Sequence, residues 1–198
     1  MIRISARCLV LAVALLAMAP AVAVEEPDRA PLQAMEALAG ELMHWIAGNS
    51  RFEIVGDSLP SIVLLPREQL IRMFDPEAGD DSGEDIAGGF ETATLTVLLL
   101  EGFDPDDLFN RSTLVHELVH FMQVTNGKAQ YAACPVALEW GAYLLQIEYL
   151  DQHDYVWPDG LRQQFKLMGF VRSRCPPGHH LRSYGPGGAY QAPPPGLD

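Results

Sequence analysis

The sequence predicts an α+β fold, mainly helical with one small sheet. Two long stretches, 31–49 and 105–126, space their apolar residues at a helical period, and only a few short runs have strand character. A chain of 198 residues that is 48% hydrophobic and 20% charged fits one ordinary domain with one core.

The elements follow in order. Over 31–49, Met35, Leu38, Leu42, Met43 and Ile46 keep the helical period, and Gly48-Asn49 supplies the stop. The short apolar runs 52–55 and 61–65 read as strands, and Pro66 suits the first turn of a helix reaching Phe74. The segment 75–89 holds six acidic residues and four glycines, which makes it a loop. Rich in Thr, Val and Leu, 92–100 reads as a strand with one buried face. Asp104 can cap the next helix with Pro105 at its first position, and Leu108, Leu114, Val115, Leu118, Val119 and Met122 carry it to Asn126-Gly127. That helix is apolar on most faces and should be buried. Further helices are expected over 135–150 and 159–169.

The two ends of the chain differ from its middle. Arg3 and Arg7 precede the apolar run Cys8 to Ala19 and then Ala21-Val22-Ala23, the charged start, apolar middle and small-residue cleavage site of a secretory signal, so 1–23 is excluded from the fold and the protein is expected to be secreted or periplasmic. The run is shorter than the roughly 20 residues that span a bilayer, so no stable membrane insertion is expected after cleavage. The domain is then 24–175, followed by a Pro/Gly-rich tail, 176–198, expected to be poorly ordered. Losing the signal removes Cys8 and leaves Cys134 and Cys175, an even number in an oxidising compartment, so a disulfide is expected, with two buried thiols as the alternative. The formal charge of −13 becomes −15 without Arg3 and Arg7, which disfavours nucleic acid and anionic membranes as partners.

Residues 116–120 read His-Glu-Leu-Val-His in the middle of the apolar helix. His116 and His120, four residues apart, leave the helix from one face and can converge on one ion, and zinc accepts imidazole nitrogen at about 2.0 Å. Glu117 projects beside such an ion, where its carboxylate can take a proton from an activated water. The bland alternative is a helix with a solvated polar face, but Leu114, Val115, Leu118, Val119, Phe121 and Met122 leave little room for one. Buried histidines and glutamate would need partners.

A catalytic zinc normally takes three protein ligands. Metzincins supply the third six residues after the second histidine, where this chain has Asn126, and need Gly where it has Gln123. Gluzincins supply a glutamate from a following helix, and the pattern His116-Glu117-x-x-His120, eighteen residues, Glu139 resembles theirs, with the ligand spacing of the aminopeptidase N and leukotriene-A4 hydrolase family. Glu148 is the fallback ligand. The likeness covers about residues 88–143, and single-domain gluzincins with a minimal core are the nearer comparison.

That resemblance implies a zincin-like domain whose small sheet has an edge strand before the active-site helix, zinc held by His116, His120 and Glu139, and Glu117 as general base in hydrolysis of a peptide or protein substrate. Gly88-Gly89-Phe90-Glu91-Thr92 is similar to the Gly-x-Met-Glu-Asn segment of those aminopeptidases, departing at Phe90 and Thr92, and would give Glu91 the substrate's amino group. The stretch 92–100 would line the cleft and pair with substrate, and the acidic loop would be a flap or simply solvated. His153, Tyr155, His179, His180 and Tyr184 are all open as donors to the oxyanion; His44 has no motif around it. A secreted zinc-binding or inhibitory module without turnover is the alternative reading.

Overall fold

A computed structural model describes residues 29–74, 86–132 and 134–175. Its elements run α1 (Arg29–Gly48), β1 (Ser61–Leu65), α2 (Arg67–Phe74), β2 (Gly88–Glu91), β3 (Thr96–Leu100), α3 (Leu108–Thr125), two 3-10 turns (Ala129–Tyr131 and Pro135–Leu138), α4 (Glu139–Gln152) and α5 (Leu161–Arg172). The fold is mixed α+β with a small three-stranded sheet. The expected signal segment 1–23, most of the expected acidic loop, and the tail with His179, His180 and Tyr184 lie outside the described residues.

The core explains why α3 reads as apolar on most faces. Leu114, Val115, Leu118, Val119 and Met122 are fully buried, because α3 is enclosed by Ala39, Leu42 and Ile46 of α1, Val97 and Leu99 of β3, and Ala142 and Tyr149 of α4. A helix buried on all sides has no solvated stripe to show. Each such Leu or Val contributes about 1.5 to 3 kcal/mol of burial.

The sheet has the order β1-β3-β2, with β1 parallel and β2 antiparallel to β3. The stretch 92–100 is therefore no single strand: Glu91 pairs with Thr96 across a turn at 92–95, and the edge strand preceding α3 is Gly88–Glu91, at the end of what reads as acidic loop. Local side-chain bonds favour the turn over the ladder. The Thr94 hydroxyl lies 2.8 Å from that of Thr96, and Glu91 accepts from the Ala93 N–H at 3.4 Å. Since β3 is hydrogen-bonded on both sides, it has no free edge for a substrate strand.

Two other expectations shift. The run 52–55 is not part of the sheet, because the Asn126 side chain takes both Glu53 backbone groups: its Oδ1 accepts from the Glu53 N–H at 2.8 Å and its Nδ2 donates to the Glu53 carbonyl at 3.0 Å. Phe52 and Ile54 still pack on the core. Asp104 does not cap α3 but closes a preceding turn through the Asp106 N–H at 2.9 Å, and Asp107 is the cap, accepting from the Asn110 N–H at 2.7 Å.

Cys134 and Cys175 form the expected disulfide, Cα to Cα 5.8 Å, tying the segment before α4 to the end of α5. Gly169 lets α5 lie close on α4; a Cβ there would stand 2.7 Å from the Tyr143 Cβ. Among the described residues, no helix is long and apolar enough to cross a membrane.

Candidate metal centre

One helical turn separates His116 from His120, and their Nε2 atoms meet 3.2 Å apart. Glu139, the first residue of α4, straddles them, with one carboxylate oxygen 3.4 Å from the His116 Nε2 and the other 3.4 Å from the His120 Nε2. The three residues offer donor atoms that all lie within 4.8 Å of one another. Bonds of 2.0 to 2.1 Å arranged tetrahedrally would set neighbouring donors about 3.3 to 3.4 Å apart, so the observed separations match that spacing. Two imidazoles with one carboxylate suit a borderline cation and not the hard, oxygen-seeking calcium or magnesium. The residues fit a metal ion.

The electrostatics agree with a centre built for positive charge. Burial pushes the Glu139 carboxyl up, but contact with both imidazoles outweighs it and holds this group well below the usual carboxylate range. Burial pulls His120 down, and Glu139, Glu117 and Gln123 more than reverse that pull.

Glu117 is buried, and it stands outside the donor group. Burial raises its pKa, against the attraction of His116 and His120. Gly88 of β2 sits directly over it: a Cβ on Gly88 would lie 3.1 Å from the Glu117 Oε1 and 3.2 Å from the Thr113 Cγ2. The edge strand thus reaches Glu117 only because residue 88 lacks a side chain.

The structure does not bring the remaining candidates to this group. Gly88 and Phe90 face α3, where Phe90 packs edge-on against Phe121, so the strand's alternation turns Glu91 to the opposite face; its carboxylate is engaged by the 92–95 turn. Glu148 is exposed and accepts from Gln152 at 2.8 Å. The His153 ring stacks on Tyr149, and its Nδ1 donates to the Tyr149 carbonyl at 2.7 Å. Tyr155 packs between Phe109 and Trp157, and His44 is exposed on α1.

Several residues that touch the centre carry no motif. Tyr143 sets its ring edge-on to His116, centroids 4.7 Å apart. Gln146 faces the His116 Nδ1 at 3.1 Å, and Gln123 faces the His120 Nδ1 at 2.9 Å. The available signal was helical register: Gln146 and Tyr143 share a face of α4 with Glu139, and Gln123 stands three residues after His120.

No curated protein and no solved structure matches the chain. A family described as a domain of unknown function (DUF6647) matches residues 31–161, which include His116, Glu117, His120, Gln123, Glu139 and Gln146, and the chain belongs to that family.

Proposed function

We propose that this protein is a secreted or periplasmic zinc-dependent hydrolase of peptide bonds, of the gluzincin type, with His116, His120 and Glu139 as ligands and Glu117 as general base. The observation that carries this reading is the separation of roles: three side chains share one donor cluster, while a second carboxylate, Glu117, lies buried beside it and outside it. A module that only stored or displayed a metal would need no such carboxylate.

A zinc ion, when bound, supplies Lewis acidity for a carbonyl oxygen and for an attacking water. The chain's own residues do the rest. Glu117 accepts the water's proton, a step favoured by the burial that raises its proton affinity, and then delivers it to the leaving amine nitrogen. Among the described residues β2 pairs only with β3, so its other edge is open to an extended peptide, and Gly88 lets that edge lie against Glu117. The cleft-lining strand is then β2 and not the stretch 92–100.

The test is a cleavage profile of the mature protein on mixed peptides with free and blocked N-termini. Expected is hydrolysis that a chelator abolishes and zinc restores; preference for free N-termini would make it an aminopeptidase, and indifference an endopeptidase. Stoichiometric zinc with no cleavage of any peptide would favour the binding module instead.

A further inference from the structure

We infer that Gln146 and Gln123 are positioning residues that fix both histidine ligands in the Nδ1–H form, each at the head of a relay that ends on a backbone carbonyl. The inference rests on the metal reading above for its purpose, not for its geometry.

The direction of each relay follows from its last acceptor. The Ser112 hydroxyl lies 2.7 Å from the Phe109 carbonyl, which can only accept, so Ser112 spends its one proton there. Its oxygen must therefore accept from Gln146, whose amide nitrogen lies 3.2 Å away. The amide oxygen of Gln146 then faces the His116 Nδ1 at 3.1 Å, and that nitrogen must carry hydrogen. In the second relay the Gln123 amide nitrogen donates to the Leu138 carbonyl at 2.9 Å, which turns its oxygen to the His120 Nδ1 at 2.9 Å. The Nε2 atoms, 3.2 Å apart and each 3.4 Å from a Glu139 oxygen, are the positions left for an ion. Neutral imidazole ligands are usually oriented by a partner on the other ring nitrogen.

Two features make this more than packing. Ser112, Gln123 and Gln146 are all buried, so water does not stand in for a missing partner. Gln123 also holds the carbonyl immediately before Glu139, so one amide sets the tautomer of one ligand and the placement of the next. It fits tightly: a Cβ on Gly141 would come 3.3 Å from its Nε2. Because both relays use amides, they orient the histidines without adding charge to the centre.

The two relays differ in one respect that an experiment can read. A hydroxyl can turn round and a carbonyl cannot. Gln146→Glu therefore keeps an acceptor at His116, since Ser112 can donate to the new oxygen, whereas Gln123→Glu sets an oxygen against the Leu138 carbonyl. The measurement is ring 15N shifts of the metal-free full chain, with both imidazoles neutral, together with zinc titration against a competing chelator. Wild type should show Nδ1–H on His116 and His120. Gln146→Met and Gln123→Met should mix the tautomers and weaken zinc binding about 10- to 100-fold. Gln146→Glu should keep the tautomer without weakening zinc, and Gln123→Glu should lose both. An Nε2–H signature on either wild-type ring overturns the inference, as do Met variants that leave tautomer and affinity unmoved. Nδ1–H on both rings in a protein that takes up no zinc supports the positioning and removes the metal reading.

Discussion

The Nε2 atoms of His116 and His120 lie 3.2 Å apart, brought together by one turn of α3. Glu139 supplies the negative counterpart, one oxygen to each ring.

Removing Glu139 takes away the only carboxylate of the donor group. Glu139→Ala should lower zinc affinity at least about 10-fold, more than the loss expected for a residue beyond the ligands. Metal analysis and chelator competition on both proteins check it. Equal affinity would strike Glu139 from the ligand set and return attention to Glu148.

Glu117→Gln keeps the size of the side chain and removes the proton-accepting carboxylate. Zinc content and thermal stability should survive while peptide hydrolysis falls by roughly 100- to 10000-fold, the range for losing a general acid or base. If zinc is lost together with activity, Glu117 is a ligand or a support. Full activity would place the chemistry elsewhere.

Gly88→Ala adds a methyl group 3.1 Å from the Glu117 Oε1 and 3.2 Å from the Thr113 Cγ2, where either the carboxylate or the edge strand must give way. The atoms it meets first belong to Glu117 and Thr113 and not to His116 or His120. Zinc affinity should stay at the wild-type value while kcat/KM falls about 10- to 100-fold, the scale of a small misplacement of a reacting group. Unchanged kinetics would mean that β2 does not lie along the reacting cleft.

The Cys134–Cys175 bridge closes a sequence separation of 41 residues and holds the end of α5 beside the segment that leads into Glu139. Replacing both cysteines by serine should lower stability by about 2 to 4 kcal/mol. Denaturant titration of oxidised and double-serine protein reads this directly. Two freely alkylatable thiols in protein from an oxidising compartment, without prior reduction, would show that the bridge does not form there.

What the sequence determined by itself is what depends on local period and local chemistry. Four-residue spacing placed His116 and His120 on one face of α3, and turn residues marked the ends of α1 and α3 to within a few positions. Glu139 came from resemblance, and an even cysteine count led to Cys134–Cys175. Other features needed the tertiary structure, because they join groups that no local rule connects. The amide of Asn126 replaces a strand partner for Glu53, 73 residues away, and so keeps 52–55 out of the sheet. The turn at 92–95 split an apparently continuous strand, made β2 the edge, and turned Glu91 away from the face that meets α3. Gln146 reaches His116 from 30 residues downstream. A helical period tells which side chains share a face, but a buried hydrogen bond exists only once packing has excluded water and left one partner within reach.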